Sequence, residues 1–153
     1  MNVWLFLHLA GAVLLIGNII TAAFWKIRAD LRKNPVVIHH TAKTVMFADL
    51  VFTLPGLLLL IISGIVMAVR ANLLAHGFNW LTLSLVLFAI AGVVWLAVLI
   101  PLQRAMIRHS AACIESGNIS KAYVRAARLW DVFGIIATLL PVIIFYLMIS
   151  KSF

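Results

Sequence analysis

The stretch WLFLHLAGAVLLIGN, residues 4–18, indicates the fold class of this chain. Its side chains are apolar or small except for His8 and Asn18. A helix needs about 20 such residues to cross a bilayer, because each residue adds about 1.5 Å and the hydrocarbon core is about 30 Å thick. The run extends in both directions and predicts a first transmembrane helix over residues 3–24.

The composition of the whole chain extends this prediction to four transmembrane helices. Hydrophobic residues make up 65% of the 153 residues and charged residues 10%, with a mean hydropathy of +1.18. A soluble domain of this size could not bury so much apolar surface. Long uncharged runs lie at residues 3–24, 45–69, 80–101 and 129–149. We therefore predict an all-α protein, a membrane-spanning antiparallel four-helix bundle that forms a single domain over residues 1–153.

The basic residues predict the orientation of these helices. Ten of the twelve Lys and Arg residues lie in the links between helices 1 and 2 and between helices 3 and 4. The positive-inside rule places both links in the cytoplasm and both termini in the periplasm, in a bacterial inner (plasma) membrane. No basic residue precedes the first helix, so we expect it to be retained rather than cleaved as a signal peptide. Topology and anionic lipid explain the basic surface, so the expected partner is the bilayer and not nucleic acid.

Helix signals continue beyond the apolar runs on the cytoplasmic side. The dipeptide Asn34–Pro35 predicts the end of one helix and the start of the next. Gly117 is a candidate C-cap, and either Asn118 or Ser120 could cap the last helix. The helices are therefore expected to extend into the cytoplasm as two hairpins.

Each predicted helix carries one stripe of small and polar residues when it is drawn at 100° per residue. Such residues let membrane helices approach closely and hydrogen-bond. We predict helix–helix contacts at Gly56 and at Gly134. The stripe of helix 1 holds His8, Gly11, Leu15, Asn18, Ala22 and Trp25, and that of helix 2 holds Asp49, Thr53, Gly56, Leu60, Ser63 and Met67.

His8 is the leading candidate for a functional residue. An imidazole about five residues into an apolar run is expected to face the bundle interior or a cavity. It could be a neutral histidine bonded to a carbonyl, a ligand of haem iron or another metal, or a proton carrier. Gly11 and Ala22 would leave room for a flat cofactor beside this face, and Asn18 would supply a polar group further along it.

A haem held by His8 would need its second axial ligand at a similar depth. Met67 and Met148 are predicted near the outer ends of helices 2 and 4, and His76 lies in the outer link. Any of the three could serve, and the sequence does not rank them. The remaining histidines belong to the cytoplasmic extensions: His39, His40 and His109.

Two carboxylates, Asp49 and Asp131, are predicted just inside the cytoplasmic boundary of helices 2 and 4. Basic neighbours such as Lys26 and Arg128 could pair with them and close the inner end of the bundle. Alternatively, one of them could begin a proton path or form part of a substrate site. Trp95 lies deeper than the other tryptophans. Four tryptophans at helix ends suit interfacial belts: Trp4, Trp25, Trp80 and Trp130.

Three segments carry a resemblance to a known family. They are LHLAGAVLLIGNIITAAFWKIRAD (residues 7–30), FADLVFTLPGLLLLIISGIVMA (47–68) and RLWDVFGIIATLLPVIIFYLMISK (128–151). The chain resembles an uncharacterised bacterial integral-membrane family, domain of unknown function 2269, over nearly its whole length. It is more distantly similar to HemJ-type protoporphyrinogen oxidases and to CopD-like membrane proteins. The HemJ type binds haem b and has a functional histidine early in its first membrane helix, which implies the same role for His8. Leu5 stands where the HemJ type has lysine, three residues before that histidine.

These observations favour a haem b protein of the inner membrane that acts in membrane redox chemistry or electron transfer. Its expected partners are a second copy of the chain or a membrane redox protein. The alternative is a cofactor-free membrane subunit or an accessory or assembly protein. A small transporter is disfavoured because predicted helix 1 (residues 3–24) has no acidic residue for proton coupling and no internal duplication is evident.

Overall fold

The computed structural model describes residues 3–72 and 78–151 and contains only helices as regular structure in these ranges. The four long helices are α1 (Val3–Leu31), α2 (Pro35–Arg70), α3 (Trp80–Ser116) and α4 (Lys121–Ser150). Each is long and apolar enough to cross a membrane. The predicted all-α fold with four apolar helices is therefore confirmed.

The links between α1 and α2 and between α3 and α4 are short, and helix caps define where they begin and end. The Asn34 side chain accepts hydrogen bonds from the backbone N–H groups of Val36 (2.9 Å) and Val37, and Pro35 is the first helical residue. Gly117 ends α3 in the left-handed conformation, with φ of 70°. Of the two candidate caps of α4, Ser120 caps it by accepting from the Tyr123 N–H at 3.2 Å. We call the end with these links the loop end, and the opposite end, near Val3 and Lys151, the terminal end.

Two helices widen locally into π-helical turns, at Asp49–Thr53 in α2 and Trp95–Leu99 in α3. Each turn ends two residues before a proline, Pro55 or Pro101. Proline has no N–H to donate, and its ring crowds the carbonyl of the preceding turn, so a wider turn accommodates it within a continuous helix. The two turns begin with Asp49 and Trp95, which become important below.

The helices pack as a ring in chain order, with α1 against α2, α2 against α3, α3 against α4 and α4 against α1. Towards the loop end, α2 packs on α3. Towards the terminal end, α2 packs mainly on α1 and α3 mainly on α4. A cleft opens between these two helix pairs, which we call the interpair cleft; its lining includes Leu15, Asp49, Phe88, Trp95, Trp130 and Gly134.

Glycine allows α1 and α2 to approach closely. A Cβ added to Gly11 would lie 2.8 Å from the carbonyl oxygen of Gly56, and one added to Gly56 would lie 3.0 Å from the carbonyl oxygen of Gly11. The predicted helix contact at Gly56 is confirmed. The one at Gly134 is wrong, because a Cβ there would meet only ring carbons of Trp130 on the same helix, at 4.0 Å. Gly134 instead faces the interpair cleft, where the helix pairs separate.

Most of the predicted stripe of α1 is buried, but at the loop end the buried residue is Lys26 and not the predicted Trp25. Trp25 is 61% exposed, and the neighbouring Lys26 is buried in its place with 2% exposure. Trp130 is also in the core rather than in an interfacial belt, at 7% exposure. The reason is the same in both cases: Lys26 reaches carboxylates on its own helix and on α4, and its ammonium lies 5.5 Å from the centre of the Trp130 ring.

Candidate functional site

A buried polar network joins three helices where the π-turn of α2 begins. Asn18 Nδ2 donates to Asp49 Oδ1 at 2.8 Å and to Thr53 Oγ1 at 2.9 Å. Thr53 Oγ1 also donates to Asp49 Oδ1 at 3.0 Å. From α3, Gln103 Nε2 donates to Asp49 Oδ2 at 2.7 Å. All four side chains are buried, so α1, α2 and α3 are tied together by one carboxyl group.

Asp49 has neutral donors around both of its oxygens and no cation. Within residues 3–72 and 78–151, the two ion pairs involve other carboxylates. The expected ion pair of Asp49 is therefore wrong, because Lys26 turns towards α4 instead. An ionisable residue inside a membrane bundle is expensive, and such residues mark ion pathways, proton relays or ligand sites in many membrane proteins. Asp49 also lines the interpair cleft, so this carboxyl group is a candidate functional group.

Lys26 forms a second polar cluster nearer the loop end. Its ammonium contacts Asp131 Oδ1 at 2.6 Å and Asp30 Oδ2 at 2.9 Å, and it donates to the carbonyl of Ala127 at 3.3 Å. The Tyr123 hydroxyl donates to the other oxygen of Asp30 at 2.6 Å. The expected ion pair of Asp131 with Lys26 is confirmed, and it closes α1 against α4.

Two indole groups in the cleft lining lack hydrogen-bond acceptors. The Nε1 atoms of Trp95 and Trp130 are buried and have no partner among the described residues. Trp95 Nε1 lies close enough to Asp49 to interact with its carboxyl group, although no hydrogen bond between them has standard geometry. An unpartnered buried donor costs about 1–3 kcal/mol, and buried tryptophan N–H groups usually find an acceptor. Both indole rings border the cleft, but their N–H groups are buried and are not exposed to it.

His8 lies near the terminal end and contacts α2. Its Nδ1 is 3.0 Å from the Ser63 hydroxyl oxygen, and the ring is also within hydrogen-bonding reach of the Leu60 carbonyl. Ser63 in turn donates to the Leu59 carbonyl. These contacts fix the orientation of the ring. A histidine that ligates a metal usually donates its other ring N–H to such a group, so His8 has the support that an axial ligand would need.

The space that we expected beside His8 is absent. The backbone of α2 at Gly56 occupies the face next to Gly11, and a Cβ added to Gly64 would lie 3.3 Å from His8 Cε1. Asn18 lies ten residues further along α1, roughly 15 Å away at 1.5 Å per residue, and it belongs to the Asp49 network. A flat group on His8 therefore cannot stand against Gly11 and Asn18, as the sequence suggested.

The other candidate ligands are dispersed in the structure. Met67 and Met148 are half-buried near the terminal ends of α2 and α4, and His76 lies outside the described residues. No group of three or more His, Cys, Asp or Glu side chains suited to a metal occurs in the described part of the chain. At the opposite end of the bundle, His39 Nδ1 lies 3.0 Å from Ser110 Oγ, which repeats the contact of His8 with Ser63.

The sequence did not identify Gln103 as a site residue, nor Lys26 as the centre of the second polar cluster. Gln103 lies just beyond the apolar run of residues 80–101, where the helix is expected to extend into the cytoplasm, yet it is 4% exposed and completes the Asp49 site. One available signal was its position two residues after Pro101, at the edge of the apolar run. The partner 54 positions earlier in the chain could not be inferred from spacing within one helix.

The comparison with known families fits this architecture. The sequence matches the family DUF2269, described as a predicted integral membrane protein, over residues 2–152. The chain belongs to this family. It is therefore an integral membrane protein, and the predicted family resemblance is confirmed. No curated protein and no solved structure matches the sequence.

Proposed function

We propose that this membrane protein binds haem b through His8 and acts in membrane redox chemistry or electron transfer. The observation that carries the proposal is the fixed His8 ring, whose Nδ1 lies 3.0 Å from Ser63 Oγ. With Nδ1 as the donor, Nε2 keeps its lone pair and can bind iron. Haem b would supply one-electron transfer when bound.

The geometry limits where such a group can lie. The close packing of Gly11 on Gly56 excludes the face between α1 and α2. A haem held by His8 would therefore have to approach the ring away from this face. Met67 and Met148 lie near the terminal end of the bundle and remain candidate axial ligands, as does His76 outside the described residues. Methionine paired with histidine is a known ligand set for haem in electron-transfer proteins.

The proposal includes a bacterial inner membrane, with the terminal end in the periplasm and the loop end in the cytoplasm. The support is the distribution of ten Lys and Arg residues towards the loop-end links against two at the other end. A second copy of the chain, or another membrane redox protein, would exchange electrons with it.

Haem content per protein in purified variants tests the proposal. His8→Ala is expected to lose most of the haem, and His39→Ala is expected to keep it. The His39 variant is a matched control, because His39 makes the same 3.0 Å contact with a serine hydroxyl at the loop end. Ser63→Ala should lower haem content less than His8→Ala, because it removes the group that orients the ring and leaves the ligand.

The alternative function is that of a cofactor-free membrane subunit or accessory protein. A specific observation favours it: His8 and Gly11 are both used to pack α1 on α2. On this alternative, His8 is only a structural link. His8→Ala would then lower thermal stability in detergent without changing any visible absorbance, and a wild-type protein without haem would support this reading.

A further inference from the structure

The interpair cleft has an apolar lining with one carboxyl group at its border. Its walls include Leu15, Phe88 and Gly134, and Asp49 is the one ionisable side chain among the described residues that line it. Apolar walls that hold a ligand, with a few polar or charged groups that select it, are the usual composition of a small-molecule site. The cleft lies between two helix pairs, so a ligand would enter it from the bilayer.

The charge at the cleft is negative and unbalanced. The two ion pairs within residues 3–72 and 78–151 join Lys26 to Asp30 and Asp131, so this cluster has no positive charge left for Asp49. The hydrogen-bond partners of Asp49 are N–H and O–H donors, which stabilise the ionised form of a carboxyl group. A buried charge is costly unless an opposite charge accompanies it. The cleft is therefore complementary to a cation.

The hydrogen bonds of Asp49 restrict which cation fits. Its Oδ1 accepts from Asn18 and Thr53, its Oδ2 accepts from Gln103, and Trp95 Nε1 lies close enough to interact with the carboxyl group. A carboxylate has about four acceptor positions, so little capacity remains for an N–H group or for direct coordination of a metal ion. A quaternary ammonium ion needs neither, because it has no N–H group and is attracted by charge alone.

Size and depth restrict the ligand to a small head with an apolar tail. The cleft encloses ≈ 70 Å³, whereas an apolar cavity of about 150 Å³ takes up benzene. It therefore has room for the methyl groups of an ammonium head and not for an aromatic ring. Asp49 lies four residues inside the apolar run that begins at residue 45, about 6 Å along the helix. A head at this depth is close to the membrane surface, and its tail can lie among the lipids.

We infer that the interpair cleft binds a quaternary ammonium ion with an apolar tail, and that the Asp49 carboxylate is its counter-ion. The methyl groups of the head pack against the apolar walls beside Asp49, and the tail leaves the cleft between the helix pairs. A phosphocholine lipid does not fit, because its phosphate would approach the same carboxylate. This inference goes beyond the proposed haem function and does not use His8.

Titration with hexyltrimethylammonium in a non-ionic detergent, followed by calorimetry, tests the inference. Asp49→Asn removes the negative charge and keeps the shape of the side chain, so the Kd should weaken at least about tenfold, which corresponds to about 1.4 kcal/mol. Glu115→Gln is the matched control, because Glu115 is exposed near the loop end and does not line the cleft. It should leave the Kd unchanged.

A second pair of variants tests the location and does not depend on how Asp49→Asn folds. Gly134→Leu fills the cleft and should also weaken the Kd at least about tenfold. Gly17→Leu is its control, because Gly17 is exposed outside the cleft and has nothing within 4 Å of an added Cβ. The uncharged analogue of the ligand, with a carbon atom in place of the nitrogen, should bind the wild type at least about tenfold more weakly than the cation.

Each of four results would overturn the inference. They are the absence of saturable binding, equal Kd values for Asp49→Asn and Glu115→Gln, equal Kd values for Gly134→Leu and Gly17→Leu, and equal binding of the cation and its uncharged analogue. His8→Ala should leave the Kd for the cation unchanged. The cation inference and the haem proposal can thus fail separately.

Discussion

Asp49 shows how one carboxyl group organises the polar interior of the bundle. It accepts hydrogen bonds from Asn18, Thr53 and Gln103, which come from three helices. Its hydrogen-bond partners among the described residues are all neutral donors, so an uncharged side chain of the same shape could keep part of the network. The Oε1 atom of Gln103 is buried without a partner in the described residues. The Gln103 amide can therefore turn over by 180° without breaking a hydrogen bond to Oε1.

Asp49→Asn is therefore expected to fold with a stability within about 1 kcal/mol of the wild type. The new amide N–H would face Gln103, and reversal of the Gln103 amide would present Oε1 as its acceptor. Asp49→Leu should cost about 1–3 kcal/mol, because it leaves the Gln103 donor buried and unpaired. Unfolding in denaturant, followed by circular dichroism in detergent, measures both. Equal losses in the two variants would show that the negative charge itself matters.

At the scale of single residues, the sequence predicted which side chains are buried better than it predicted their partners. Asn18, Asp49 and Thr53 stood on the predicted stripes because helical spacing alone decides the face. The sequence named Lys26 as one of several possible basic partners of Asp131. It did not suggest Gln103 as a partner of Asp49. Partners 54 positions apart depend on how deep each helix sits beside its neighbour, and no single-helix pattern contains that information.

At the scale of elements, the spacing of the helices depends on where glycine lies. Gly11 and Gly56 bring the backbones of α1 and α2 together, whereas Gly134 borders a cleft. A small residue in a membrane helix can therefore mark either a contact or an opening, and the sequence alone predicted contacts at both Gly56 and Gly134. The π-helical turns were also not predicted, although Pro55 and Pro101 now explain their positions.

Alanine at these two glycines should have opposite effects. Gly56→Ala should destabilise the protein by about 1–3 kcal/mol, because its Cβ would lie 3.0 Å from the carbonyl oxygen of Gly11 and cannot be accommodated without a backbone shift. Gly134→Ala should stabilise it by up to about 1 kcal/mol, because alanine is the better helix former and its Cβ is not crowded. Thermal unfolding in detergent compares the two. Equal effects would contradict the close α1–α2 packing.

At the scale of the whole molecule, helix ends were the most predictable feature. Asn34, Gly117 and Ser120 act within a few residues of chain, so their signals are local and their roles as caps were among those predicted. The separation of the bundle into two helix pairs was not predicted, because it results from the packing of all four helices. That separation creates the cleft.

The orientation of the whole bundle can be tested with reporters. A reporter that is active only after export should be active when it is fused after Phe153. A reporter that is active only in the cytoplasm should be active when it is inserted after Gly117. At the terminal end, Arg70 lies 5.6 Å from the Trp4 ring centre and Lys151 lies 5.6 Å from that of Trp80. These pairs of basic and indole side chains suit a membrane–water interface. A cytoplasmic C-terminal reporter would reverse the proposed orientation.

The visible absorption spectrum of the purified wild-type protein tests haem binding most directly. Expression should be carried out with a haem precursor supplied, so that cofactor supply does not limit loading. We predict a Soret band that shifts on reduction with dithionite, and its loss in His8→Ala protein that still elutes as a folded species. A wild-type protein that is folded, pure and colourless under these conditions would contradict the role of His8 as a haem ligand.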